Sequence, residues 1–363
     1  MNSKPYFLLL FTMVGLASCQ SDPDTQPSGV GSGSNLINDG TWSIPIDQVH
    51  DGGPGKDGIP ALESPLLIQA SNANFLADFD LIVGYKSGDE IRAYPHQILD
   101  WHEIINDRTE NENFAITYCP LTGTAIGWNR DLQNNTTTFG VSGLLYNTNL
   151  IPYDRYSGSN WSQIGLECVN GGLKGEKVDV IQVVETTWGN WKNMYPDTKV
   201  VSLNTGHSRN YGTYPYGDYK TNHTFFLFPV SPKDDRIASK KRVLGVINNN
   251  SVKVYKFDNF SGGVSSFYDQ FDGEEIILAG SNIRNFMVAF YPFTEDGERL
   301  QLSAVSDNSS IIFEDENDNQ WNIFGEAVNG PLAGSKLKQP VSFIAYWFSW
   351  SAFYDNVEIF EPL

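Results

Sequence analysis

Apolar residues along this chain come in short runs separated by polar or glycine-bearing turns, the pattern of a protein built mainly from short strands. Residues 81–85 and 90–94 are two such runs joined by Lys86-Ser87-Gly88-Asp89, which predicts a hairpin. The pattern returns at 243–247 and 251–255, joined by Asn248-Asn249-Asn250. Pro95 then opens a predicted helix through Ile98, Trp101, His102 and Ile105, and a strand is predicted over 114–118. A second helix is predicted from Thr187 to Tyr195, where Trp188, Trp191 and Tyr195 fall at i, i+3 and i+7 on one face.

These runs are part of a longer repetition. Gly84 and Tyr94 recur as Gly245 and Tyr255 at an offset of 161, and Trp161 and Gly165 as Trp321 and Gly325 at 160. Trp188, Trp191 and Tyr195 recur as Trp347, Trp350 and Tyr354 at 159, and tryptophan is only 9 of 363 residues. A slowly drifting offset is what small insertions between two copies of one fold produce. The expected fold is therefore mainly β with a few short helices (α+β): two related internal repeats, 80–200 and 243–363, forming one compact pseudo-two-fold domain. Residues 201–242 connect them and 35–79 cover one end. An aromatic stripe kept in both copies reads as scaffold, and the two stripes are expected to pack on each other. Residues present in only one copy become the functional candidates.

The N-terminus changes the picture of where the protein works. Residues 1–18 carry Lys4, an apolar run and Leu16-Ala17-Ser18 just before Cys19, which reads as a lipoprotein signal with Cys19 acylated. Residues 19–34 are Ser/Gly-rich and predict a flexible tether. The expected location is the cell envelope, lipid-anchored in the outer membrane and exposed at the surface, with the membrane as a partner through Cys19. A formal net charge of −19 excludes nucleic acid as a partner. The acidic run 314–320 lacks the glycine and closing glutamate of an EF-hand loop and reads as a solvated loop. Cys119 and Cys168 remain, either free or paired, and there is no CxxC.

Candidate chemistry gathers in the first repeat. Cys119 ends a strand before Pro120-Leu121-Thr122-Gly123-Thr124, where free backbone N–H groups would stabilise a thiolate or an oxyanion; copy two has Tyr291-Pro292 there. Such a thiol could attack a carbonyl or bind a soft metal, and a buried small apolar residue is the plainer alternative. His102 beside Glu103 offers an acid/base pair oriented by a carboxylate, and His96 lies on the same predicted helix. The connector adds His207, Arg209 and Tyr211 with Tyr214, Tyr216 and Tyr219, suited to a lid or a ligand wall and equally to packing between repeats.

The motifs Trp101-His102-Glu103, Tyr118-Cys119-Pro120-Leu121-Thr122-Gly123-Thr124-Ala125, Ser142-Gly143-Leu144-Leu145-Tyr146-Asn147, Tyr153-Asp154-Arg155 and Trp161-Ser162-Gln163 resemble domain-of-unknown-function family 3179 from about residue 80 onward. The resemblance supplies no reaction and leaves the cofactor unknown; it marks Cys119 as part of the family motif and leaves Cys168 outside it. Thr122 stands where many relatives have a second cysteine, which counts against a two-thiolate role. Three readings follow. The first is a site with Cys119, His102, Glu103 and His207 as catalytic candidates and Thr122, Thr124, Tyr146, Asp154, Arg155, Arg209 and Tyr211 as ligand contacts. The second is a non-catalytic ligand-binding lipoprotein in which Cys119 is packed. The third is a copper or zinc site made by Cys119 with His96 or His102.

Overall fold

A computed structural model describes residues 41–306 and 309–362, so the 1–18 leader, Cys19 and the 19–34 tether lie outside the described residues. The chain is mainly β, with three short α-helices among the described residues, α1 (His96–His102), α2 (Trp188–Met194) and α3 (Trp347–Phe353). Among the described residues the strands form six sheets of three to five strands in a six-bladed β-propeller arrangement, three blades from each half, and one small ribbon of Asp131–Leu132 with Asn135–Thr136. This is more specific than a pair of pseudo-two-fold lobes.

The first blade is the predicted hairpin Leu81–Ser87 and Glu90–Pro95, closed by Val184–Thr187 from the far end of the same half. The second holds Ile104–Arg108, Asn113–Cys119 and Thr124–Asn129, and the third runs from Phe139–Tyr146 to Glu167–Asn170. The fourth repeats the first with Arg242–Asn248, Ser251–Lys256 and the closing strand Val341–Tyr346. Residues 265–290 make the fifth and 303–329 the sixth. Residues 41–79 do not fold alone. They add outermost strands to the first three blades: Leu67–Gln69, Leu62–Glu63 and Val49–Asp51 respectively. Among the described residues no helix is long and apolar enough to cross a membrane.

Local sequence explains where elements stop. Pro95 fixes an extended entry to α1, and the helix ends at Glu103, whose φ of +57° turns the chain. Ile105 was expected on the helix and lies instead in the strand Ile104–Arg108. The β-branched pair Ile104-Ile105 favours the pleated state once the chain has turned. Thr187 caps α2 by accepting from the Asn190 amide at 3.3 Å.

Glycine and tryptophan recur together for one reason. A Cβ on Gly84 would lie 2.2 Å from the Trp191 ring, and one on Gly245 would lie 2.4 Å from the Trp350 ring. The indoles thus occupy space that only glycine leaves. Their helices, however, do not pack on each other. α2 enters a core shared by the first, fifth and sixth blades, with Trp191 edge-on to Phe324 at 6.1 Å. α3 enters the core of the second to fourth blades, where Tyr354 donates to the Ile164 carbonyl at 3.0 Å. Each helix follows the strand that closes its own half, and this carries the two aromatic faces into separate cores.

Several polar pairs also occur twice. Tyr94 donates to Asp107 and Tyr255 to Asp269, both at 2.8 Å, and each aspartate meets a cation, Arg92 or Lys253. The Trp161 indole donates to Asp154 and that of Trp321 to Asp315, both at 3.0 Å. Asp154 is therefore a scaffold residue and not the ligand contact expected from sequence. Asp315, in the acidic run of copy two, has the same task and also accepts from Asn319.

Candidate functional site

Removing these duplicated features leaves one buried cluster in the first half, and its counterparts are not ionisable at neutral pH. His96 opens α1 where Phe257 opens the corresponding turn, and Glu103 precedes a strand where Val264 precedes its equivalent. Cys119 follows Tyr118 as Tyr291 follows Phe290.

Cys119 ends the strand Asn113–Cys119, paired in register with Thr124, and its thiol donates to the Thr148 carbonyl at 3.6 Å. Asn149 donates to the Thr122 hydroxyl at 3.0 Å and to Gln163 at 2.7 Å, and Thr124 donates to the Thr122 carbonyl at 3.2 Å, which fixes the turn. Burial pushes the Cys119 thiol up to about 11, and the neighbouring Glu103 carboxyl adds to the effect. The turn does not supply the activated thiolate that the sequence suggested; this is a neutral thiol. Cys168 is also free and buried, and burial lifts it to about 11. The two cysteines do not pair.

Glu103 is the most unusual group in the cluster. It is buried, its backbone sits at φ +57° and ψ −31°, and its one side-chain hydrogen bond is a long one from the Tyr216 hydroxyl at 3.4 Å. No cation among the described residues pairs with it. Desolvation, reinforced by Asp100, pushes its carboxyl up to about 8, so it carries its proton at neutral pH. Thr148, on the other side of the thiol, is a buried β-branched residue at φ +68°. Each such backbone costs about 1–3 kcal/mol, and such costs concentrate at functional sites.

The connector covers this cluster. Residues 202–241 contain no helix or strand, and ordered stretches of that length are commonly lids or binding loops. Its side chains reach inward in sequence. Tyr214 donates to the Pro120 carbonyl at 3.1 Å, Tyr216 reaches Glu103, and Lys220 pairs with Asp100 at 3.0 Å. Tyr219 is fully buried near Cys119. Its hydroxyl and Asp100 Oδ1 have no hydrogen-bond partner among the described residues. Lys240 fastens the strap from behind, donating to the Asn222 carbonyl at 2.6 Å and to that of Phe225, with its ammonium 3.5 Å from the centre of the Tyr219 ring.

The histidines do not join Cys119. His102 Nδ1 lies 2.7 Å from the Pro60 carbonyl, which can only accept, so Nδ1 carries the hydrogen. Nε2 then accepts from the Tyr211 hydroxyl at 2.6 Å, and Tyr211 in turn meets Thr205 at 2.5 Å. Both ring nitrogens are engaged in tying the connector to the N-terminal segment, and burial drives the imidazole down to about 4. His102 is an anchor rather than a base for the thiol. His207 is exposed, 5.3 Å from the His102 ring, and Arg209 is exposed and donates to the Ser208 carbonyl. His96 Nε2 lies 2.8 Å from Glu185, which also pairs with Arg242 at 3.2 Å. Among the described residues no group of three or more His, Cys, Asp or Glu is placed to hold a metal ion, so the copper or zinc set of Cys119 with His96 or His102 does not assemble.

Two expected wall residues lie elsewhere. Arg155 pairs with Asp57 at 3.0 Å and Glu63 at 2.6 Å near the surface, and Tyr146 packs edge-on to Phe353 at 5.4 Å. Sequence reasoning missed Asp100, Thr148, Glu185 and Lys220. Asp100 was findable, four residues after His96 and so on the same face of α1. The strained Thr148 left no signal.

A family model described as "Protein of unknown function (DUF3179)" matches residues 56–357. No curated protein and no solved structure matches the chain.

Proposed function

The chain belongs to the DUF3179 family, whose description names no reaction, and from that premise we propose a role argued from the site alone. The protein is a lipid-anchored component of the cell envelope, held through Cys19 in the outer membrane, that admits a small uncharged polar molecule to the Glu103–Cys119 cluster when the connector above it opens. Glu103 is its proton donor. The supporting observation is Glu103 itself: a buried carboxyl on a strained backbone, without a cation, beside a thiol, where the other half has valine. Buried carboxyls that serve only stability are normally paired, and an unpaired one shifted toward neutrality marks a working group. The ligand is uncharged because the thiol and Glu103 are neutral and Asp100 already faces Lys220. A neutral thiol favours binding and proton exchange over nucleophilic attack. The duplicated Gly–Trp and Tyr–Asp pairs support a reading of the two halves as related repeats.

Alkylation by iodoacetamide tests the lid. Cys119 of the folded protein is expected to react at least 100-fold more slowly than in the denatured chain. In Lys220→Ala combined with Tyr216→Phe it should react at least tenfold faster than in the wild type, while Cys168 does not change. If Cys119 reacts only at the rate of global unfolding in both proteins, it is a packed residue and the cluster is no site.

A further inference from the structure

A second constellation lies apart from Cys119 and Glu103. A cavity of about 120 Å³ opens among the second, fourth and fifth blades, lined by Ala125, Gln182, Glu185, Leu244, Met287 and Ser342 among others. Its lining mixes apolar residues with four polar side chains, Gln182, Glu185, Gln339 and Ser342, and two of these carry unpartnered atoms. Both side-chain amide atoms of Gln182 are buried without a hydrogen-bond partner among the described residues, and so is Glu185 Oε1. The other carboxylate oxygen of Glu185 is held by His96 at 2.8 Å and by Arg242 at 3.2 Å, so the side chain is fixed and not free to turn away.

Orphaned buried polar atoms are expensive, about 1–3 kcal/mol each. Here three of them belong to two residues that line one cavity: two acceptors, Gln182 Oε1 and Glu185 Oε1, and one donor, Gln182 Nε2. Their complement is a group with two N–H donors and one carbonyl acceptor. The volume suits about four waters or one molecule near the size of benzene. We propose that this cavity is a second binding site, for a small neutral molecule with an apolar body and a primary carboxamide or urea end. A carboxylate ligand would set its oxygens against two acceptors, and a hydrocarbon would leave all three polar atoms unsatisfied.

Benzamide, benzoate and toluene are the probes, titrated into the full chain by heteronuclear NMR. Benzamide is expected to bind at least tenfold more tightly than either comparator. Gln182→Met should weaken benzamide at least tenfold without lowering the unfolding midpoint, because the amide has no partner to lose and its two orphaned atoms are removed. Glu103→Gln should leave benzamide binding intact, which separates this site from the Glu103–Cys119 cluster under the connector. Benzamide that fails to bind, or binds the Gln182→Met protein equally well, overturns the proposal, as does benzoate of equal affinity.

Discussion

Glu103→Gln is expected to make the protein more stable than the wild type at pH 8.5 and above, by roughly 4–5 kcal/mol relative to the difference between the two at pH 4. The sign follows from where the proton sits. In the unfolded chain the carboxyl ionises at its ordinary 4.5, whereas in the fold it holds its proton up to about 8. Its stabilising contribution is fully present below 4.5 and is lost as the pH rises through about 8, because the unfolded state gains an ionisation that the buried carboxyl resists. The interval from 4.5 to about 8 corresponds to roughly 4–5 kcal/mol. Glutamine has no such titration, so subtracting the two stability curves cancels every other group, including His102, which drops to about 4 and titrates in an overlapping range. Denaturant unfolding from pH 4 to 9 supplies both curves. A difference that stays constant across the range would mean that Glu103 is solvated in the fold.

The second large effect concerns the scaffold. Gly84→Ala and Gly245→Ala should each cost about 3 kcal/mol or more, although each adds a single methyl group. The new carbon would fall 2.2 Å from the Trp191 ring in one case and 2.4 Å from the Trp350 ring in the other. Both indoles are fully buried and cannot retreat without displacing a helix. Alanine at Gly88, where nothing lies within 4 Å of the added carbon, meets only the backbone cost of φ +56° and should be milder. Equilibrium denaturation compares the three, and a loss below 1 kcal/mol at Gly84 or Gly245 would show that the tryptophans are not wedged there.

Much of this was legible in the sequence, for identifiable reasons. The hairpins could be read because their runs alternate around short polar turns, and each proved one or two residues longer than the apolar run that revealed it. The two halves were visible because glycine and tryptophan recur once per half. The three blades within each half have no such shared marker, so six sheets read as two repeats. Asp154 was misjudged although its partner was available: Asp315 stands at the same offset of 161 as Gly84 and Gly245. His102 and Glu103 were read as a pair. The positive φ at Glu103 sends the carboxyl toward the thiol while the imidazole before it faces Pro60 and Tyr211. A left-handed turn at a glutamate leaves no trace in composition or spacing.

What carries the functional account is the protonation of Glu103, and infrared difference spectroscopy of wild type against Glu103→Gln reads it directly. The account predicts a protonated-carboxyl band in the wild type at pH 7, missing from the variant, that disappears with a midpoint near pH 8. A Glu103 carboxyl already ionised at pH 6, titrating near its ordinary 4.5, would contradict it.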